Sequence, residues 1–343
     1  MNPRDILLES IHHRQPPKVP YTLAFEGGVD LQLDEYYGGP HWREKLTPYI
    51  VGVAAVNTDI REPAGRLPTG EIYESDPYGG IWRVDRAEWH LEKPPLAKPS
   101  FEGYSFPPPE RFYRPDWKEQ ARQIIAATPD SFHVANLGWG LFERSWNLRG
   151  FENLLVDIVS DPDFVEEAMD RLMNLYLAFV EYTADLPIDG ILFGDDWGEQ
   201  RGVIIGPKRW RKFLKPRWAK IYEAVHAHGK IVMHHSCGSV ADIIPDIIEI
   251  GMDVLESVQP EAAGMNPYEL KKKWGDKLTF WGCLGSQSTI QFGTPDEIKA
   301  EVRRLRREMG QGGGYILAPA KPLQPGTPLQ NAVAVFEAFT EEN

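Results

Sequence analysis

Short apolar segments alternate with helical patterns along this chain, and that alternation narrows the possible folds more than any other feature. The strand-like segments run from Val19 to Phe25, Val53 to Ile60, His133 to Gly138, Gly190 to Gly194, Lys230 to His235, Asp253 to Val258, Leu278 to Gly282 and Gly314 to Ala318. Helices between them open on recognisable signals: Asp161-Pro162, Gly206-Pro207 with Gly229 as the stop, and Thr294-Pro295-Asp296-Glu297. Eight strands separated by helices predict a (β/α)8 TIM barrel, formed as one domain over residues 1–343. A doubly wound nucleotide-binding sheet would need a glycine-rich phosphate turn after the first strand, and Glu26-Gly27-Gly28-Val29 does not supply one. Gly310-Gln311-Gly312-Gly313-Gly314 follows a helix and precedes a strand, the reverse of a phosphate loop, so it reads as a helix stop and turn.

One stretch breaks the alternation. Residues 61–117, after the second strand, are rich in proline, glycine and aromatics. They include a predicted hairpin from Glu71 to Trp82 and the run Pro107-Pro108-Pro109. Such an insertion forms a lid or a subunit contact. The lid is the stronger expectation, because a segment following a barrel strand emerges on the catalytic face.

Charge and composition exclude several classes. A formal charge of −13 disfavours nucleic acid and anionic membranes as partners. No apolar run of transmembrane length is present, and the polar start Met1-Asn2-Pro3-Arg4-Asp5 lacks the apolar core of a secretory signal. With only Cys237 and Cys283, a disulfide framework is not expected and a reducing cytoplasm is. Arg303, Arg304, Arg306 and Arg307 are flanked by Glu301 and Glu308, as on a solvated, salt-bridged helix face.

Barrel geometry gathers chemistry at the C-terminal strand ends. Residues expected there are Glu26 and Asp30, then Asp59, then Trp139, Glu143 and Arg144. Asp195, Asp196 and Gln200 follow the fourth strand, His235 and Cys237 the fifth, Glu256 and Gln259 the sixth, Cys283 the seventh and Lys321 the eighth. Either Asp195 or Asp196 could instead cap a turn. In Met233-His234-His235-Ser236-Cys237-Gly238 strand alternation projects His235 and Cys237 together, with His234 and Ser236 facing away. An imidazole and a thiol side by side are two zinc ligands. A catalytic site needs a third and an open position, and Glu256 and Cys283 are the candidates for it. Thiolate ligation suits a metal that carries a substrate thiolate, pointing to alkyl transfer onto sulfur.

Several motifs together carry a family resemblance. They are Pro3-Arg4-Asp5-Ile6-Leu7 with Val19-Pro20, Leu141-Phe142-Glu143-Arg144 with Gly150-Phe151-Glu152, and Gly194-Asp195-Asp196-Trp197-Gly198. Lys212-Phe213-Leu214-Lys215-Pro216, His235-Ser236-Cys237-Gly238 and Phe292-Gly293-Thr294-Pro295 complete the set. The chain resembles the uroporphyrinogen decarboxylase superfamily, which includes zinc-dependent methylcobamide:thiol methyltransferases. The resemblance implies a (β/α)8 barrel, zinc at His235 and Cys237, and a corrinoid as substrate or on a partner protein. It departs from the decarboxylases at Phe25-Glu26-Gly27-Gly28-Val29-Asp30, where they carry an arginine pair, while Asp59 matches their essential aspartate. It departs from the methyltransferases at Ala318-Pro319-Ala320-Lys321, where they carry a zinc-binding cysteine. Lys321 is therefore expected to hold an anionic substrate group. The implied function is methyl transfer between a corrinoid or methylated small molecule and a thiol. The alternatives are a decarboxylase or lyase acting on a carboxylated substrate, and a non-catalytic ligand-binding barrel or corrinoid-protein partner. In this reading Asp59, Glu143, Asp195 and Asp196 are the catalytic candidates. Glu26, Trp139, Arg144, Gln200, Gln259 and Lys321 are the substrate-binding ones.

Overall fold

The computed structural model describes residues 1–85 and 89–341. Its strands are β1 (Ile50–Val53), β2 (Glu62–Arg66), β3 (Ile72–Ser75), β4 (Ile81–Arg83), β5 (His90–Lys93), β6 (Phe132–Trp139), β7 (Gly190–Gly194), β8 (Gly198–Glu199), β9 (Gly202–Val203), β10 (Ile231–His235), β11 (Val254–Val258), β12 (Thr279–Leu284) and β13 (Tyr315–Pro319). Seven of them form one sheet in the order β1-β6-β7-β10-β11-β12-β13, parallel throughout. Helices connect most neighbours, as parallel pairing requires.

The segment expected as the first strand lies along the free edge of β13. Tyr21 bridges Leu317 and Phe25 bridges Leu323, both in parallel sense. Pro20 cannot donate to a ladder, and its carbonyl instead accepts from Leu317 N–H at 2.9 Å. The second strand lies earlier than expected, at Ile50–Val53 instead of Val53 to Ile60. The apolar run through Val56 fits either register, and pairing of Ile50 with Phe132 and Val53 with Ala135 selects the upstream half. The remaining six begin and end within two residues of expectation.

Alternation along the strands sorts the core into two layers. Met233, Val254, Trp281 and Ile316 form an inner cluster with Leu7 and Ile11 of the helix Pro3–Ile11. The opposite face meets the flanking helices. Among them Pro162–Ala184 buries Val165, Met169, Leu172, Tyr176 and Val180, each such side chain contributing roughly 1.5–3 kcal/mol. The helix opened by Gly206-Pro207 is interrupted at Leu214, giving Pro207–Phe213 and Lys215–Ala227.

Between β1 and β6 the chain builds an antiparallel sheet, β2-β3-β4-β5. Its hairpin pairs Ser75 with Ile81 and Tyr73 with Arg83. Asp76 organises the turn, accepting Tyr78 N–H and Gly80 N–H at 2.9 Å and the Trp82 indole at 2.7 Å. Among the described residues no helix is long and apolar enough to cross a membrane.

Candidate metal centre

Strand register assembles the site. β7 and β10 pair with Gly194 opposite His235, so Asp196 and Cys237, each two residues further on, come level. Asp196, His235 and Cys237 offer an oxygen, a nitrogen and a sulfur that all lie within 4.8 Å of one another. His235 Nε2 is 3.1 Å from Cys237 Sγ and 3.5 Å from Asp196 Oδ1. Asp196 Oδ1 also accepts the Cys237 peptide N–H at 2.7 Å, which ties the two loops together. His234 and Ser236 face the other way: the His234 ring stacks on Trp197 at 4.3 Å, and Ser236 Oγ accepts Trp197 N–H at 2.9 Å.

The two candidates for third ligand are placed differently. Glu256 sits opposite His235 in the β10–β11 register, and its carboxylate hydrogen-bonds Nδ1, the ring nitrogen turned away from Cys237. Burial disfavours a charged His235, but Glu256 and Cys237 outweigh it and hold its pKa well above the ordinary value. Cys283 is 1% exposed within the apolar core and is not part of the donor group. Simple alternation from the inward Trp281 would have aimed it at the site. Positive φ at Gly282 (124°) and Cys283 (75°) turns the strand there instead. Burial pushes the Cys283 thiol far above its ordinary value.

A second left-handed residue, Ser257 at φ 69°, was not foreseen from sequence. It lets consecutive residues of β11 both face the site. Glu256 reaches His235, while Ser257 Oγ lies 3.8 Å from Cys237 Sγ and donates to Ala320 O at 2.7 Å. A non-glycine residue held in this region costs of order 1–3 kcal/mol, a cost that clusters at functional sites.

Asp195 does not reach the site. It is fully buried and accepts Phe142 N–H at 3.1 Å, Glu143 N–H at 2.9 Å and the indoles of Trp197 and Trp218 at 2.8 and 3.3 Å. It thus anchors the N-terminus of the helix Leu141–Arg149, where its negative charge is favoured. Glu143, 8% exposed, lies against the Asp196 peptide group. Burial, with Asp195 and Asp196 nearby, pushes its carboxyl up to about 8.

Arg144 is buried and donates to Thr58 O at 2.8 Å, with Trp139 packed over its guanidinium at 5.3 Å. Asp59 is half exposed and pairs with Arg61 at 2.8 Å. Glu26 is exposed and accepts from Gln324 at 3.3 Å, and Asp30 pairs with Arg43 at 2.8 Å, so neither points to the donor group. Gln259 accepts Gly238 N–H at 3.3 Å behind Cys237, while exposed Gln200 donates to Gln287 at 3.2 Å. Lys321 stands beside the donor group: burial lowers its pKa, but Cys237, Asp196 and Glu256 more than offset this and raise it overall.

Fold and site together define an α/β protein with an oxygen, nitrogen and sulfur donor set at the C-terminal ends of a parallel sheet. Residues 146–342, more than half of the chain, match the family described as uroporphyrinogen decarboxylase (URO-D), and the chain belongs to that family. It is similar to the methylcobamide:CoM methyltransferase MtaA of Methanosarcina barkeri, 28% identical over 183 residues that cover 53% of this chain and 50% of that protein. Similarity to the uroporphyrinogen decarboxylase of Coxiella burnetii is 21% identity over 184 residues, covering 53% of this chain and 48% of that protein. The chain thus spans about half the length of the curated relatives it matches. Among solved structures, a methyltransferase from Methanosarcina mazei superposes with TM-score 0.70 at 20% identity, covering 99% of this chain and 98% of that one. That likeness concerns the fold.

Proposed function

We propose that this protein is an enzyme that moves a methyl group between a corrinoid or methylated small molecule and a thiol, using zinc held by Asp196, His235 and Cys237. The observation that carries this reading is the convergence of those three donors within 4.8 Å, with Glu256 behind the imidazole. The set fits a catalytic zinc site of three protein ligands, and the carboxylate behind a ligating histidine is the usual supporting contact. A zinc ion bound there supplies Lewis acidity that keeps a thiol acceptor deprotonated near neutral pH. Glu256 fixes the ring orientation of His235, so that Nε2 faces Cys237 and Asp196. Lys321 balances the negative charge of Asp196, Cys237 and Glu256. The relatives named as methylcobamide:CoM methyltransferases support this reading over the half of the chain they match. A corrinoid protein is the partner it implies.

The same reading takes the parallel sheet with the 19–25 segment as a (β/α)8 barrel, one domain over 1–343, and residues 61–117 as a lid over the strand ends. Purification without chelator, metal analysis and demethylation of methylcobalamin by added thiol test it together. The expected result is about one zinc per chain, thiol-dependent loss of methylcobalamin, and loss of both in Cys237→Ala. A chain that holds no zinc after reconstitution but releases carbon dioxide from a carboxylated substrate would establish the lyase reading instead.

A further inference from the structure

A cavity of about 890 Å³ lies at the N-terminal ends of the parallel strands, the opposite end of the sheet from the donor group. Val19 and Tyr21 line it from the start of the 19–25 segment, and Thr47 and Tyr49 from the residues leading into β1. Among the described residues no strand pairing joins that segment to β1, so the cavity sits at a seam. Tyr21 and Tyr49 meet edge to face across the seam at 5.3 Å, and Phe339 packs on Tyr21 at 5.7 Å. Ile6 and Val19 extend this apolar wall.

The polar lining is rich in donors, although the chain as a whole carries a formal charge of −13. Lys18, Lys45 and Arg306 line the cavity against the carboxylate of Glu341, which already pairs with Arg303 at 3.3 Å. Among the described residues no carboxylate lies within 4.0 Å of Lys18 or Lys45. Lys18 Nζ stands instead 5.9 Å from the centre of the Tyr49 ring. Arg306 is held in the wall by donating to Phe339 O at 2.8 Å and to Glu341 O at 3.4 Å. Tyr49 is 1% exposed, and its hydroxyl meets no hydrogen-bond partner among the described residues. Burial pushes that phenol up to about 12, so it keeps its proton and can donate. The Tyr21 hydroxyl accepts Thr47 N–H at 2.9 Å, which leaves its own proton for an acceptor in the cavity. A buried phenol without a partner is not a solvated surface feature, because buried polar groups are almost always satisfied.

We propose that this cavity is a second binding site, for an organic phosphate: a phosphomonoester with a small apolar or aromatic body, held by Lys18, Lys45, Arg306 and the hydroxyls of Tyr21 and Tyr49. A phosphomonoester carries a charge of about −2 and three strong acceptor oxygens, whereas a carboxylate offers one charge and two oxygens. Two ammonium groups, a guanidinium and two phenols suit the larger acceptor, since bonds from charged donors are the strong ones. A free phosphate ion leaves most of the cavity unfilled, because about 890 Å³ is the size of a small-molecule pocket. The apolar wall of Ile6, Val19 and the Tyr21, Tyr49 and Phe339 rings is left for the organic part of the ester. This site stands apart from the chemistry at the other strand ends, so its ligand is not a reactant there.

The test titrates the purified full-length chain, kept free of phosphate, with phenyl phosphate, inorganic phosphate and benzoate by calorimetry at pH 8. Phenyl phosphate should bind best, about tenfold or more tighter than inorganic phosphate because its ring is buried, and tighter than benzoate. Tyr49→Phe should weaken it about three- to tenfold, and Lys18→Met with Lys45→Met about tenfold or more. The lysines are exposed and the tyrosine change removes one oxygen, so thermal unfolding should show these variants folded. Two controls locate the site. Arg307→Gln, which changes an arginine of the same helix outside the cavity, should bind as the wild type does. Cys237→Ala should also bind as the wild type does, since the donor group lies at the other end of the sheet. Failure of phenyl phosphate to bind the wild type overturns the proposal. So does an undiminished affinity in the Tyr49 and lysine variants, or an equal loss in either control. Benzoate binding as tightly as phenyl phosphate would overturn the assignment to phosphate.

Discussion

Glu256 hydrogen-bonds Nδ1 of His235, on the opposite side of the ring from Cys237 Sγ and Asp196 Oδ1. In the proposed zinc site the carboxylate is thus a support for the imidazole, and Asp196 is the third donor.

Zinc affinity should separate these roles. Glu256→Gln should lower it about 10- to 100-fold, the usual effect of losing the contact behind a ligating histidine. Asp196→Ala should cost more, because it removes a donor from a three-donor set. Competition titration with a chromophoric chelator measures both. A larger loss in Glu256→Gln than in Asp196→Ala would exchange the assignments.

Cys283→Ser should leave zinc binding unchanged. Its cost falls on stability, since a hydroxyl at a site 1% exposed and lined by apolar groups loses about 1–3 kcal/mol unless it finds a partner. Urea denaturation beside metal analysis checks both halves, and zinc loss with unaltered stability would contradict the placement of this residue.

Asp195→Ala should act on the fold. Four donors lose their acceptor at a fully buried position, and the start of the helix Leu141–Arg149 loses its anchor. A destabilisation of about 3–5 kcal/mol is expected. Denaturant unfolding measures it, and a change under about 1 kcal/mol would show that Asp195 is not structural.

His226 gives a pH signature away from the site. Its Nε2 meets Asp253 at 2.8 Å, and that hydrogen bond raises the imidazole above its ordinary value of 6.5. With the folded value raised, its stabilisation is complete below about pH 6.5 and lost as pH rises through the folded pKa. Side-chain exposures of 40% and 36% limit it to about 0.5 kcal/mol. His226→Gln should reduce stability near pH 5.5 and leave it unchanged near pH 8.5, as compared by urea midpoints. Equal effects at both would point to packing instead of charge.

Periodicity and local motifs determined the strand–helix alternation, the helix starts and the pairing of His235 with Cys237, because each depends on residues a few positions apart. The helix start at Thr294 and the hairpin between Glu71 and Trp82 were legible for the same reason. Register between strands is a relation across the sheet, and it alone set Asp196 level with Cys237 and Glu256 behind His235. Left-handed backbone at Ser257 and Cys283 reversed the alternation that a sequence pattern assumes, bringing Ser257 in and sending Cys283 away. The burial of Arg144 beside Arg61, Tyr78 and Tyr176 joins four segments distant in the chain. A lone arginine in sequence carries no sign of whether its counter-charge will be at hand, because only tertiary packing decides which acceptors reach it.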